Sequence, residues 1–368
     1  MEELYYCYWL ANLHNIGIKK IERLISIFGN AEGVFKTTRE ELYALRRDGA
    51  LADLMNDKDL ETILGSRDIV KIMNHYNRLS ESGIRLITRE AEEYPERLRN
   101  IYSAPYALYV KGRLPAKEDK LIAVVGAREC SQYGREMARY LAEAIATEGV
   151  HIISGLARGV DTYAHQGALA AGGITYAVMG CGIDICYPRE NINYYMEMQR
   201  EGGIISEYAP NIQPLAGNFP MRNRIISGLS DGVLVIEAKE KSGSLITVDY
   251  GLEHGKEIYA LPGRATDRLS AGCNNLIRMG AKMVTSPKDI LEDLLPGYLA
   301  QEKTLRNNST DELGRNLVYS CLNSDPKHYE EIAYLTGLPM ENLLEQLLQL
   351  ELKGLIHQSV KNYYCKKL

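Results

Sequence analysis

Apolar residues fall along this chain in two rhythms. Over the first 70 residues they recur every three or four positions. LANLHNIGIKKIERLISIFGN reads as a helix, a tight turn at Asn15-Ile16-Gly17, and a second helix closed by Gly29-Asn30. TTREELYAL follows, with Thr37 or Thr38 as an N-cap and acids in the first turn. From Leu121 short unbroken apolar runs take over, each ending in a glycine turn. Strands are expected near 121–125, 151–154, 174–179, 203–206, 233–237, 257–261 and 282–285. Two earlier runs, 84–87 (IRLI) and 107–110 (ALYV), flank a proline-bearing loop and read as edge strands extending the same sheet. Amphipathic stretches such as GREMARYLAEAIATEG and LITVDYGLEHG lie between the later strands. The alternation predicts an α/β fold with a parallel sheet covered on both faces.

GYLAQEKTLRNNSTDEL breaks the rhythm and reads as a linker over 297–313. Three helical stretches and a hairpin-like LIHQSVKNYYCKK follow, an order that suits a winged helix. The expected division is a helical domain (1–70), a Rossmann-like domain (71–296), the linker, and a winged helix (314–368). The third helix of that last domain carries Glu341, Glu345 and Glu351 against Lys353 alone. A helix facing phosphates does not favour acids, so a protein-contact or structural role is expected there. The first helical hairpin, with Lys19-Lys20 after its turn, could grip a phosphate backbone or simply pack; one hairpin is a weak signal, and packing is the preferred reading.

Composition narrows the picture. At 368 residues, two or three domains are expected, and 45% hydrophobic with 25% charged residues is ordinary for a globular chain. The net charge of −5 argues against broad coating of DNA, so any nucleic-acid site must be a local basic patch. The 25 tyrosines against 3 phenylalanines suit amphipathic surfaces more than base-stacking platforms, and carry no functional weight. MEELYYCYWLANL has no basic n-region before an apolar core, no apolar run is long enough to span a membrane, and the seven cysteines are scattered. A cytoplasmic protein without a membrane partner is expected.

The candidate chemistry sits where strands end. LIAVVGAREC, HIISGLARGVD, ITYAVMGCGID and VLVIEAKEKSGSLIT each deliver glycines or hydroxyls to a loop or helix start, and FPMRNRIISGL adds arginines. Helix starts present unpaired N–H groups and positive dipole ends, and ligands of parallel sheets sit at the strands' carboxyl ends. Arg128, Arg158, Arg222 and Arg224 beside Ser131, Ser154, Ser242, Ser244 and Thr247 therefore predict an anion track suited to a nucleic acid strand. Asn223 can read a base edge, and Phe219 can either stack on a base or anchor its helix start, beside Pro220.

Other chemistries lack their supports. Gly126 and Gly134 do not make GxGxxG, no acid follows the next strand, and no GxxxxGK[ST] occurs, so neither a dinucleotide nor ATP is expected. Asp161 and His165 lie four apart, but no nucleophile elbow surrounds Ser154; a helix-stabilising hydrogen bond is the preferred reading. Cys181 and Cys186 have no second ligand pair, so no metal site is expected. Glu237 is expected to order the KSGSLIT loop or a nearby arginine rather than act as a base.

Taken in order, GARECSQYG, SGLARGVDTYAHQGAL, GCGIDICYP, SEYAP, FPMRNRIISGLSDGVLVIEAKEKSGSLIT, LPG and GCNNLIRMGA resemble the DNA-processing protein A family, also called Smf. The resemblance implies an extended Rossmann-like fold between an N-terminal helical domain, of helix-hairpin-helix or SAM-like type, and a C-terminal winged helix. It implies a homodimeric, non-enzymatic protein without cofactors that binds single-stranded DNA, protects incoming DNA, and loads RecA recombinase in natural transformation. The DNA-contacting positions it implies are Gly126, Arg128, Phe219, Arg222, Asn223, Arg224, Ser242, Gly243, Ser244 and Thr247. This chain departs from the pattern at Ala216, where many members are basic, and at Ala127, where serine is common. Two competitors stand beside this reading. One is a nucleoside monophosphate phosphoribohydrolase, whose PGGxGTxxE segment LPGRATDRLS lacks; the other is a structural protein whose arginines satisfy internal partners.

Overall fold

The computed structural model describes residues 2–298, 316–323 and 325–366. The chain divides into two compact units, Met1–Leu294 and Leu295–Leu368. The expected 297–313 linker lies outside the described residues from residue 299 onward.

The first unit opens with α1 (Glu2–Ala11), α2 (Ile18–Phe28), α3 (Ala31–Lys36), α4 (Arg39–Arg47), α5 (Asp57–Gly65) and α6 (Ile69–Glu81). The expected hairpin is present, but Asn15 rather than Gly17 takes the left-handed conformation in its turn. Thr38 is the cap of α4: it accepts from Glu41 N, and the Glu41 carboxylate accepts from Thr38 N. Lys20 is held by Asp59 at 2.7 Å, which favours packing over a phosphate grip.

A nine-stranded sheet follows: β1 (Arg85–Thr88), β2 (Ala107–Gly112), β3 (Leu121–Val125), β4 (His151–Ser154), β5 (Thr175–Met179), β6 (Gly203–Ser206), β7 (Gly232–Val235), β8 (Glu257–Ala260) and β9 (Lys282–Met283). Its order is β1-β2-β6-β5-β4-β3-β7-β8-β9. The run from β6 to β9 is parallel, whereas β2 pairs antiparallel with both β6 and β1. Only β1 is therefore an edge strand of the expected pair. The helices alongside are α7 (Glu96–Arg99), α8 (Gln132–Thr147), α9 (Val160–Ala170), α10 (Ile192–Glu201), α11 (Asn218–Leu229), α12 (Leu245–Glu253), α13 (Ala271–Arg278) and α14 (Lys288–Leu294).

Alternate side chains serve opposite faces, as the pleat requires. Tyr109, Ala177, Met179 and Ile204 join a cluster shared with the N-terminal helices. Leu108, Val110, Tyr176, Val178 and Ile205 turn the other way, onto Ile225 and Leu229 of α11 and Val248 of α12. The winding reverses at β3. From there β4, β5 and β6 are laid down on one side, and β7, β8 and β9 on the other. Loops leaving β3 and β7 consequently diverge, and a crevice opens at their carboxyl ends.

The second unit is a winged helix, with helices Leu317–Cys321, Tyr329–Thr336 and Met340–Leu352 and strands β10 (Lys327–His328), β11 (Ile356–Val360) and β12 (Tyr363–Lys366) in the order β10-β12-β11. Leu343, Leu347 and Leu350 of the third helix enter its core, while Glu341, Glu345 and Glu351 are exposed. Among the described residues no helix is long and apolar enough to cross a membrane.

Candidate nucleic-acid interface

The crevice at the β3/β7 reversal is a cleft of about 430 Å³. One wall is the loop after β3 with Gly126 and Arg128, and the opposite wall runs from Lys239 to Thr247 after β7. Phe219, Arg222 and Asn223 from the start of α11 complete it. Four cations (Arg128, Arg222, Lys239, Lys241) face it against two carboxylates (Glu129, Asp161). The cleft is thus locally positive in a chain whose net charge is −5.

The two walls are tied together by Glu237. Its carbonyl accepts from Ala127 N at 2.7 Å. Its carboxylate, buried at 4% exposure, accepts from Ser131 N at 2.8 Å and Ser131 Oγ at 2.5 Å. Ser131 Oγ in turn accepts from Gly134 N and caps α8. The expectation that Glu237 would order the KSGSLIT loop or an arginine is corrected: a buried carboxylate needs donors, and the first loop supplies them. Gly159 supports the same loop from beneath. Its φ is +76°, and a Cβ there would lie 2.3 Å from Ala127 O, so the position demands glycine.

The arginines separate into different kinds. Arg128 is exposed, its guanidinium lies 5.4 Å from the Phe219 ring centroid, and it has no carboxylate partner among the described residues. Arg222 lines the cleft at only 4% exposure, donating from Nη1 to Gly155 O at 2.9 Å and to Val178 O. Burial pulls its pKa down to about 10, with Asp161 opposing, so it stays charged at neutral pH. Arg224 is absent from the cleft lining, 2% exposed, and forked onto Glu207 at 2.7 and 2.8 Å. Arg158 is exposed but paired with Glu190 at 2.8 and 3.0 Å. Of the four arginines expected along the track, Arg128 and Arg222 line the cleft, whereas Arg158 and Arg224 are held by carboxylates. Helical geometry separates Arg222 from Arg224: residues two apart on a helix point about 200° apart, so the two cannot share a face.

The remaining candidates line the cleft together. Asn223 Nδ2 donates to Gly243 O at 3.4 Å, linking α11 to the β7 wall. Ser242 Oγ and Ser244 Oγ lie 2.8 Å apart, and Thr247 is buried at the start of α12. Lys239 and Lys241, exposed and without carboxylate partners among the described residues, were not singled out from the sequence. Their two-residue spacing just beyond a strand end was the available signal.

Asp161 and His165 do not bond each other. Asp161 accepts from Gly155 N and Ala157 N, and His165 Nδ1 lies 2.7 Å from Thr175 Oγ1. Burial, with Arg222 adding to it, holds the His165 pKa down at about 3. Cys181 and Cys186 are free thiols.

Fold and cleft together define a doubly wound, Rossmann-like protein with a cationic strand-end crevice. Residues 85–295 match the family described as DNA recombination-mediator protein A, and residues 302–360 match the DprA winged helix domain. The chain belongs to the DNA recombination-mediator protein A family. It is 40% identical to Protein Smf of Escherichia coli over 285 residues, covering 76% of each chain. It is 38% identical to the DNA processing protein DprA of Streptococcus pneumoniae, over 70% of this chain and 99% of that one. The X-ray structure of the S. pneumoniae protein superposes with a TM-score of 0.57 at 36% identity, covering 76% of this chain and 98% of that one. A Helicobacter pylori DNA processing protein A, described for its unique single-stranded DNA binding mode, gives a TM-score of 0.52 at 30% identity, covering 58% and 97%.

Proposed function

We propose that this protein binds single-stranded DNA in the cleft at the β3/β7 reversal and performs no chemistry on it. The observation that carries the reading is an exposed Arg128, without a carboxylate partner among the described residues, facing Lys239 and Lys241 across a crevice floored by Phe219. Cations on two walls hold a phosphate backbone, and an aromatic floor suits an unstacked base. The named binding mode of the H. pylori relative supports the same ligand. Support for a non-enzymatic role comes from Glu237 and Asp161, whose carboxylates are already engaged by main-chain donors. The family resemblance extends the proposal to a cytoplasmic homodimer that shields incoming DNA and hands it to RecA during natural transformation.

The test is a fluorescence-anisotropy titration of oligo(dT) against a duplex of equal length at several salt concentrations. Tighter binding of oligo(dT), weakened by Lys239→Ala with Lys241→Ala, is the expected result. Equal affinity of wild type and double variant at all salts would remove the cleft as the binding site. RecA-driven strand exchange on DNA coated by a single-stranded-DNA-binding protein, with and without this protein, tests the hand-over.

A further inference from the structure

Phe219 does not stand alone beside the cleft. Its ring lies against the backbone of Gly180, where an added Cβ would come within 2.8 Å of Phe219 Cδ1. Its ring centroid is 5.7 Å from that of Tyr187, with the planes tilted by 38°. Tyr187 is 42% exposed, and its hydroxyl has no hydrogen-bond partner among the described residues. A large aromatic ring left open, in contact with a ring that is itself half-buried and flanked by the Arg128 and Arg222 guanidiniums, has the makings of a platform. The two rings form a stepped shelf: Phe219 lines the cleft and Tyr187, beside it, lies outside that lining.

We propose that Tyr187 is a second base-stacking subsite, taking the nucleobase next to the one on Phe219, so that the strand leaves the cleft across this shelf. The inference rests on the reading of the cleft as a single-stranded DNA site. A base has two π-faces and needs no hydrogen-bond code to stack, so the subsite takes any nucleobase but requires one to be present. The distance and tilt between the rings suit two successive bases splayed apart rather than one base clamped between them.

The test compares Tyr187→Ala, Tyr187→Leu and Tyr187→Phe on oligo(dT) and on an abasic strand of the same length. Leucine keeps an apolar contact with Phe219 without offering a flat face, and thermal melting checks that each variant is folded. Alanine and leucine variants are expected to bind oligo(dT) about tenfold more weakly, since stacking is worth about 1–3 kcal/mol per base and 1.4 kcal/mol is tenfold. The phenylalanine variant is expected to match wild type, and all four proteins to bind the abasic strand alike. A leucine variant as tight as wild type on oligo(dT), or an alanine variant equally weakened on the abasic strand, overturns the subsite. If Arg128→Ala weakens oligo(dT) binding while Tyr187→Leu does not, only the subsite falls. If neither matters, the reading of the cleft falls with it.

Discussion

Arg128 and Arg224 have the same side chain and opposite situations. Arg128→Ala removes a solvated cation from a cleft wall. It is expected to weaken oligo(dT) binding, lower the salt slope by about 0.7, and leave urea unfolding unchanged. Arg224→Ala instead strands Glu207 and opens a buried pair, with a loss of stability of about 3 kcal/mol expected in urea titrations. Helical spacing separates Arg222 from Arg224 already in the sequence: two apart in FPMRNRII, they had to face different neighbours. His165 adds a pH dependence. Its folded pKa of about 3 lies below the ordinary value of about 6.5, so the unfolded chain takes the proton first as pH falls. Its contribution is complete above about pH 6.5 and is lost progressively toward pH 3. Burial shifts His151 and His254 in the same direction. Urea midpoints are expected to fall between pH 7 and pH 5, with a flatter profile in His165→Asn.

At the scale of elements, the sheet was the most legible part. LIAVV, HIIS and GIIS become β3, β4 and β6 with the expected limits, because strands buried on both faces must be continuously apolar. The expected strand at 233–237 ends at Val235, and beyond it the Glu237 side chain turns to Ser131 while its carbonyl still accepts from Ala127 N. Long-range partners of this kind leave no mark in local spacing. The cap of α4 was narrowed to two threonines by residue type, and geometry selects Thr38. Thr38→Ala is expected to cost about 1 kcal/mol of stability by thermal or urea unfolding, with oligo(dT) affinity unaltered.

For the whole molecule, the contrast is between a net charge of −5 and a cleft where cations outnumber carboxylates. Binding by such a patch predicts few released counterions, hence a modest slope of log affinity against log salt, about −0.7 per phosphate neutralised. The winged helix contributes little to that slope in this reading, because the exposed side of its third helix carries Glu341, Glu345 and Glu351. Replacing these three acids with glutamine is expected to leave oligo(dT) affinity and its salt dependence within about twofold of wild type, read by the same anisotropy titration. The order of domains was visible in the change of hydrophobic period. The reversal of winding at β3, which decides where the cleft lies, was not, because strand order depends on pairings between segments distant in the chain.

Glu237 grips the neighbouring loop with main chain and side chain at once, so the banks of the crevice are riveted before any ligand arrives. The entropy of arranging them is surrendered while the polypeptide folds, not at the moment of capture. A guest strand meets a slot already cut to width, and the ordering still to be done falls on the guest.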